Sequence, residues 1–411
     1  MRSGRDPEAV AGTTAAAAVF LVYLGLMIVN PVIAPLSRGL GLAEWQIGAV
    51  VSVAALAMVG SSTLWGRYGG VWGRRRTLLA AIGSAGASAT VFAVLGQLGL
   101  AGSAGATTLF LALLFVRGLW FGLSEAAVLP NVQAYIAETT PDVERRVKGM
   151  AALGAAQGAA RVGGAALGGA LALAGVLAPL WCTPPLVVAA GLLVAFGFRS
   201  AAVRGDGERR PAVVRPWDGR VLPFLLIGFG AFLALGFVQI LIGFLVQDRL
   251  GLEDGATAIL SGLAYVCAGL GLVAAQAGFV PRVRWAPPRL IRTGLAIALA
   301  GFVALVPDLG LPGLLAGTGL TGFGLGTMAP GVSAGASLAV GDGEQGAVAG
   351  LVTAANALTL VSAPLAATVL YGVDRTLPLA VAAGVAGSVL LFALAHPALR
   401  PGARAQGRSE G

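Results

Sequence analysis

The feature that most constrains the fold of this chain is a succession of long apolar runs separated by short charged or turn-rich segments. An α-helix needs about 20 mostly apolar residues to cross the hydrocarbon core of a bilayer, and most of these runs reach that length. Only 11% of the residues are charged, less than half the share of about 25% in a typical soluble domain. We therefore predict an all-α membrane protein with twelve transmembrane helices in two six-helix bundles related by a parallel repeat.

The predicted spans form two groups of six, with a charged stretch between them. The first six lie near residues 13–36, 45–66, 77–97, 107–136, 148–171 and 181–198. The second six lie near residues 221–247, 256–279, 290–306, 311–339, 347–371 and 377–396. The first run is longer than the apolar core of a cleavable signal peptide, so we interpret it as a retained span. The predicted domains are an N-terminal six-helix bundle, a cytoplasmic linker and a C-terminal six-helix bundle, over residues 1–199, 200–219 and 220–411.

The distribution of basic residues predicts the orientation in the membrane. With the N-terminus in the cytoplasm, 22 of the 27 basic residues fall in cytoplasmic segments and three in outer loops, namely Arg38, Arg249 and Arg375. Basic residues accumulate on the cytoplasmic side of membrane proteins, so both termini and the linker are predicted to be cytoplasmic, in the plasma or inner membrane. This placement also explains the net charge of +9 without a nucleic-acid partner.

The two halves of the sequence resemble each other. Residues 41–44, before span 2, match residues 251–254, before span 8, at a shift of 210, and at the same shift Arg74 corresponds to Arg284. A parallel repeat of six helices, with a substrate site between the halves near mid-membrane, is a layout of the major facilitator superfamily.

Residues 66–76, after span 2, resemble the GxxxDRxGRR signature of that superfamily. The residues on signature positions are Gly66, Gly73, Arg74 and Arg75. In the family this loop latches the two halves on the cytoplasmic side, and the aspartate of the signature is part of the latch. Gly70 takes the place of that aspartate here, so we expect Arg74 or Arg75 to pair with another acid, of which Glu138 is the nearest. Simple attraction of the arginines to the cytoplasmic membrane surface is the alternative.

Span 5 is similar to the signature of the twelve-span drug–proton antiporters in its spacing of Gly154, Gly158, Gly164, Gly168 and Gly169. The Gly-Pro core of that signature is replaced by Gly164-Ala165. The resemblance implies proton-coupled export, but glycines also allow helices to approach closely, so packing is the alternative explanation. Residues 117–122 of span 4 resemble the family's membrane-embedded arginine motif, with the glycine displaced by one place.

Three charged residues fall deep inside predicted spans: Arg117, Glu125 and Arg161. An ionised side chain at mid-bilayer costs about 2.5–3.5 kcal/mol on insertion scales, so such residues are candidates for function. Glu125 and Arg161 both lie about 20 Å from the cytoplasmic end, on adjacent antiparallel helices. We interpret Glu125 as the proton carrier and the excess of arginine as favouring an anionic or zwitterionic substrate; a purely structural pair is the alternative. The neutral candidates for the substrate and proton pathway are Asn30, Gln239 and Asn356.

Other classes of protein fit the sequence less well. Residues 331–335 form a GxSxG pattern, but the one histidine, His396, ends another span, and no GxxxxGK of an ATP-driven pump occurs. No cofactor or metal spacing is found, and a channel explains the repeat less well than alternating access. We predict a proton-coupled exporter of a small anionic or amphiphilic organic molecule, active as a monomer in the lipid bilayer. Efflux of cationic or lipophilic drugs, and proton-coupled import of a metabolite, are the alternatives.

Overall fold

The computed structural model describes residues 7–139, 143–198, 214–341 and 344–399. Within these ranges nearly every residue is helical, and none belongs to a β-strand. The all-α class predicted from the apolar runs is therefore confirmed.

The helices follow one another along the chain with short connections. The first nine are α1 (Pro7–Met27), α2 (Ile33–Gly39), α3 (Glu44–Trp72), α4 (Arg74–Leu100), α5 (Ala106–Leu113), α6 (Phe121–Glu125), α7 (Val128–Thr139), α8 (Val143–Leu171) and α9 (Ala178–Gly197). The next seven are α10 (Leu222–Leu250), α11 (Asp254–Val273), α12 (Val280–Val283), α13 (Pro287–Leu305), α14 (Gly310–Leu338), α15 (Gln345–Val373) and α16 (Leu377–Ala395). Two π-helical stretches, Leu114–Trp120 and Ala274–Phe279, join α5 to α6 and α11 to α12.

Ten helical stretches in the described part of the chain are long and apolar enough to cross a membrane. They correspond to the predicted spans except the fifth and the tenth, which are α8 and α14. Each of these two helices has 29 residues, or about 43 Å at 1.5 Å per residue, so both have the length of a span. Their many glycines lower their mean hydropathy. The membrane fold is confirmed, and the count of twelve spans stays a prediction.

The chain divides into two compact units. The first comprises Met1–Gly207 and Val246–Leu263, and the second comprises Glu208–Leu245 and Ala264–Gly411. The end of α10 and the first half of α11 thus pack with the first unit, although the sequence assigns them to the C-terminal bundle. The boundaries predicted at residues 199 and 220 stay predictions, because most of the linker between them lies outside the described residues.

Each unit has its own apolar interior. In the first, Tyr135 of α7 stacks on Phe198 with ring centroids 4.1 Å apart, inside a buried cluster that includes side chains of α1, α4 and α9. In the second, α13 and α14 lie in contact through glycines. A Cβ added to Gly301 would lie 2.7 Å from the backbone nitrogen of Thr321, so only glycine permits this approach.

The repeat predicted from the sequence is visible in the turns. Gly41 before α3 and Gly251 before α11 both have positive φ, +69° and +59°. Further along, α3 ends before Gly73 (φ +90°), whereas α12 ends before Arg284 in the left-handed conformation (φ +46°). Arg284 thus follows the end of its helix as Gly73 does, although at the shift of 210 it corresponds to Arg74.

The signature-like segment is mostly helix and not the predicted loop. Residues 66–72 are the last turns of α3, and only Gly73 separates this helix from α4. The reason is that, among the glycines of the segment, Gly73 alone has a φ that ends a helix, while Gly66, Gly69 and Gly70 remain helical.

Candidate substrate and proton site

The first membrane span is interrupted at Asn30. Helix α1 ends at Met27, a 3-10 turn covers Asn30–Val32, and α2 begins at Ile33. Pro31 has no N–H with which to continue the α-helical hydrogen bonds. The half-buried Asn30 donates from Nδ2 to the Met27 sulfur at 3.4 Å. The predicted pathway residue therefore lies at a break in a membrane helix, which is the backbone arrangement that many transporters use for binding.

Span 4 is interrupted directly after Glu125. Helix α6 ends at Glu125, and α7 begins at Val128. Pro130 cannot donate to the carbonyl of Ala126. Asn131 Nδ2 instead donates to the neighbouring carbonyl of Ala127 at 2.7 Å. The only acidic residue predicted deep in a span thus lies at the end of a short helix whose backbone is already broken.

Arg117 lies in the π-helical stretch of the same span. A π-helix shifts the hydrogen-bonding register, and such stretches are frequent at functional sites. Ser88 of α4 donates to the carbonyl of Val116 at 2.7 Å within this stretch. The guanidinium carbon of Arg117 lies 4.3 Å from the centre of the Phe121 ring, and the side chain lines a small cavity inside the first unit together with Thr183. Arg117 is therefore stabilised in part by an aromatic ring.

The side chains of Arg117, Glu125 and Arg161 form no direct ion pair among the described residues. Glu125 and Arg117 interact electrostatically, but within the described residues no hydrogen bond, and no ion pair of 4 Å or less, joins Glu125 to Arg117 or Arg161. The described side-chain nitrogen and oxygen atoms that are fully buried without a partner belong to Arg75 and Asn356. Glu125 is half-buried, and Arg161 is exposed.

Tyr23 of α1 belongs to the same region, although the sequence analysis missed it. Its phenol interacts electrostatically with both Glu125 and Arg161, and among the described residues its hydroxyl has no hydrogen-bond partner. The signal available in the sequence was its spacing, because Tyr23 precedes Asn30 by seven residues and seven residues return to the same helical face. Helices α1, α6 and α8 thus bring a phenol, a carboxylate and a guanidinium into one region of the first unit.

The glycines of α8 separate into two groups. A Cβ on Gly164 would lie 2.6 Å from the Met27 Cβ, and one on Gly168 would collide with the carbonyl of Ile28, so both glycines let α8 contact the break after α1. A Cβ on Gly169 would lie 3.2 Å from the carbonyl oxygen of Ala258. At Gly154 and Gly158, by contrast, an added Cβ would meet no neighbouring atom within 4 Å. Close packing accounts for the second part of the glycine run and leaves the first part without a packing role.

The two predicted residues of the second unit have different surroundings. The backbone carbonyl of Gln239 in α10 accepts a hydrogen bond from the Tyr265 hydroxyl at 2.7 Å. The Oδ1 atom of Asn356 in α15 is buried without a partner and points towards Gly228, where an added Cβ would lie 3.4 Å away. A buried amide oxygen without a donor is costly, so Asn356 is suited to accept a hydrogen bond from a ligand or a water.

Arg74 forms the pair that was expected of the signature-like segment. Its Nη2 and Nε atoms lie 3.0 and 3.1 Å from Glu138 Oε1, and Nη1 donates to Asn131 Oδ1 at 3.2 Å. Gly69 leaves the room for this arrangement, because a Cβ there would collide with the Asn131 amide. The pair joins α4 to α7 within the first unit, and its role as a cytoplasmic gate stays a prediction. Arg75 donates instead to the carbonyl of Ala195 in α9.

The second unit has an ion-pair cluster of its own before α10 and α15. Arg220 contacts Asp218 at 2.7 Å and Glu344 at 3.1 Å. These hydrogen bonds hold the pKa values of both carboxyl groups below their usual range. Both acids are therefore ionised at neutral pH and serve as partners of Arg220.

The GxSxG pattern has no catalytic geometry. Residues 331–335 lie inside the continuous helix α14, whereas a nucleophile elbow is a sharp turn between a strand and a helix.

Comparisons with known proteins agree on the family. Residues 15–364 match the family model of the Major Facilitator Superfamily. The human organic anion transporter MFSD10 (TETRAN) is similar in structure, with a TM-score of 0.64 and 18% identity over 95% of this chain and 100% of that one. The nucleoside transporter NupG has a TM-score of 0.73 and 10% sequence identity, with 95% of this chain and 99% of that one covered. A bacterial homologue of the iron transporter ferroportin has a TM-score of 0.67 and 16% identity, with 93% of this chain and 98% of that one covered. A search of curated proteins finds no match. The chain belongs to the Major Facilitator Superfamily and is a membrane transporter, not an enzyme.

Proposed function

We propose that this transporter exports a small anionic or amphiphilic organic molecule in exchange for protons, by alternating access. The observation that carries the proposal is the position of the Glu125 side chain and its lack of an ion-pair partner among the described residues. This carboxylate belongs to a half-buried residue beside a break in a membrane helix. A carboxyl group in such a position is able to bind and release a proton, because no permanent partner fixes it in the ionised form.

The charges of the first unit support an anionic substrate. Arg161 is exposed on α8, and Gly158 beside it leaves free space. Arg117 lies on the other side of Glu125 in sequence, and its guanidinium contacts the Phe121 ring. The two guanidinium groups and the single carboxylate leave a net positive charge in this region. Guanidinium groups are well suited to bidentate recognition of carboxylates. The names of the similar structures cover an organic anion and a nucleoside, so the fold by itself does not select the substrate.

The proposal includes an orientation. The end of the first unit that carries Arg74, Arg75 and Arg76 faces the cytoplasm, and the end that carries Arg38 faces the outside of the plasma or inner membrane. The excess of arginines at the first end supports this orientation. The protein works as a monomer, since the candidate site lies within one chain.

The test is transport by the purified protein in sealed proteoliposomes. Benzoate serves as the anionic probe and tetraphenylphosphonium as the lipophilic cation, each measured with and without an imposed pH gradient. We expect benzoate to move against its gradient when protons move the opposite way, and tetraphenylphosphonium to move at the rate of protein-free liposomes. Gradient-driven transport of the cation alone would contradict the anion assignment.

Efflux of a lipophilic cation is the second candidate, and a specific observation favours it. Tyr23 and Phe121 accompany Glu125 in the first unit, and a carboxylate with aromatic rings is a suitable environment for a delocalised cation. The two candidates differ in the expected effect of Arg161. Neutralising Arg161 should weaken the binding of an anion, whereas a cation should bind no worse. The same liposomes containing Arg161→Gln therefore distinguish them.

A further inference from the structure

Arg38, near the end of α2, contacts three polar side chains. Its Nη1 and Nη2 atoms donate to the two carboxylate oxygens of Asp248 at 2.8 and 2.9 Å. Nη1 also donates to Gln247 Oε1 at 3.1 Å, and Nη2 donates to Glu44 Oε1 at 3.2 Å. Asp248 and Gln247 lie in the last turn of α10, whereas Glu44 begins α3. A bidentate pair of this kind is stronger and more specific in its geometry than a single hydrogen bond.

Arg38 and Asp248 are equivalent residues of the two repeats. They are 210 residues apart, the same shift that relates Gly41 to Gly251, and both glycines make the turn that follows with positive φ. The two repeats therefore have opposite charges at one equivalent position, and the two side chains form an ion pair with each other. This pairing explains why an arginine occurs at Arg38, on the side where the sequence has few.

A second contact holds the same segment below the ion pair. A Cβ on Gly262 of α11 would lie 2.7 Å from the carbonyl oxygen of Ala165 and 3.2 Å from the Cα of Gly169 in α8. The two backbones touch there, as glycine contacts between membrane helices allow. Towards its other end α8 has free space at Gly154 and Gly158. Near Gly169 α8 is thus closely packed against Val246–Leu263, whereas an added Cβ at Gly154 or Gly158 would meet no neighbouring atom within 4 Å.

We propose that the Arg38–Asp248 pair, supported by the contact of Gly262 with α8, is the outer gate of the transport cycle. In this conformation the pair holds the segment Val246–Leu263 against α2, and it separates when the outer side opens. The inference rests on the proposed function, because only alternating access requires this contact to break and reform. Asp248 is 11% exposed, and separation of the pair loses two charge-assisted hydrogen bonds, so the pair favours the closed state until substrate or proton binding compensates.

The test measures how fast a cysteine at position 158 reacts from the face on which Arg38 lies. Gly158→Cys has free space for its side chain, and the native Cys182 and Cys267 are first replaced by alanine. The probe is a membrane-impermeant cationic methanethiosulfonate applied to sealed vesicles. We expect slow labelling in this parent chain and about tenfold faster labelling with Asp248→Asn or Arg38→Gln, a factor that corresponds to about 1.4 kcal/mol.

Glu44→Gln is the matched control. Glu44 touches the same guanidinium, but it lies on the same helical hairpin as Arg38, so its loss should leave the labelling rate close to that of the parent. The charge exchange Arg38→Asp/Asp248→Arg should return the rate to the parental value, and it keeps the test decisive if a single variant fails to fold. Folded single variants that label at the parental rate, or an exchange that labels as fast as they do, would overturn the gate.

The labelling needs no substrate, so the gate and the proposed function fail separately. Vesicles that show the expected labelling but transport neither benzoate nor tetraphenylphosphonium would keep the gate and overturn the proposed function. Normal gradient-driven transport of benzoate, with labelling unchanged in every variant, would overturn the gate and keep the proposed function.

Discussion

Arg74 and Glu138 are 64 residues apart in the chain, and their side chains meet in an ion pair of 3.0 Å at one end of the first unit. The acid of this contact belongs to α7, whereas Gly70 stands where the family signature has its aspartate. Asn131 accepts a hydrogen bond from the same guanidinium and donates to the carbonyls of Trp65 and Ala127. The ion pair and these hydrogen bonds thus hold α3, α4 and α7 together within the first unit.

The coupling between Arg74 and Glu138 is measurable. Arg74→Gln and Glu138→Gln should each lower the free energy of unfolding, and the double variant should cost less than their sum by about 1 kcal/mol, the upper range for partly exposed pairs. The measurement is thermal unfolding of the purified protein in detergent. Glu253→Gln, an exposed acid before α11, is the control and should have no effect. Strict additivity of the two changes would show that the contact contributes nothing.

A substitution at Gly69 tests whether the Asn131 side chain needs the space beside α3 that this glycine leaves. Gly69→Ala places a Cβ into the Asn131 amide, so we expect a loss of about 1–3 kcal/mol, as for other overpacked positions, together with a loss of the Arg74–Glu138 coupling. Gly60→Ala is on the same helix, where an added Cβ meets nothing within 4 Å, and should be neutral or slightly stabilising. Equal stabilities of the two variants would contradict the close approach at Gly69.

The glycine run of α8 gives a prediction that separates packing from transport. Gly168→Ala should destabilise the protein by about 1–3 kcal/mol, because its Cβ would collide with the carbonyl of Ile28. Gly154→Ala should leave the stability unchanged, since the space there is free. Thermal unfolding of both variants decides the first part. A transport defect in stable Gly154→Ala would then assign a functional role to that glycine, and normal transport would limit the run to packing.

Arg161 tests the charge of the substrate. Arg161→Lys keeps the charge but loses the planar fork, so binding of benzoate should weaken roughly tenfold or more, which corresponds to the loss of a charge-assisted hydrogen bond. Direct binding of benzoate and tetraphenylphosphonium to wild type, Arg161→Lys and Arg161→Gln is the measurement. The expression level should not change, because Arg161 is exposed and has no partner among the described residues. Binding of the cation that needs Glu125 and ignores Arg161 would favour cationic drug efflux.

The fold was predictable from the sequence because lipid leaves the backbone few alternatives. An apolar run of sufficient length must satisfy its own hydrogen bonds, so it becomes a helix, and the structure has helices at all the predicted spans. The prolines at positions 31 and 130 mark where two of these helices break. The conformation of the residues around Gly70 was harder to predict, because a glycine at the end of a membrane helix is compatible both with a turn and with a close contact between helices.

The composition of the site was less predictable. Arg117, Glu125 and Arg161 were found because a charge in a membrane span is rare. Tyr23 looks like an ordinary aromatic residue of a span, and its spacing from Asn30 is a weak signal until the packing of α1 against α8 places it near Glu125 and Arg161. The partnership of Arg38 with Asp248 needed the fold as well, because the sequence places these residues in different bundles.

We propose that Glu125 carries the coupling proton, and transport by the variant Glu125→Gln is the sharpest test of that role. The variant keeps the shape of the side chain but cannot ionise. The measurement compares two modes in one set of proteoliposomes: accumulation of benzoate driven by a pH gradient, and exchange of labelled for unlabelled benzoate at equal pH. We expect accumulation to be lost in the variant while exchange continues at a rate near that of wild type. Accumulation at the wild-type rate in Glu125→Gln would contradict that role.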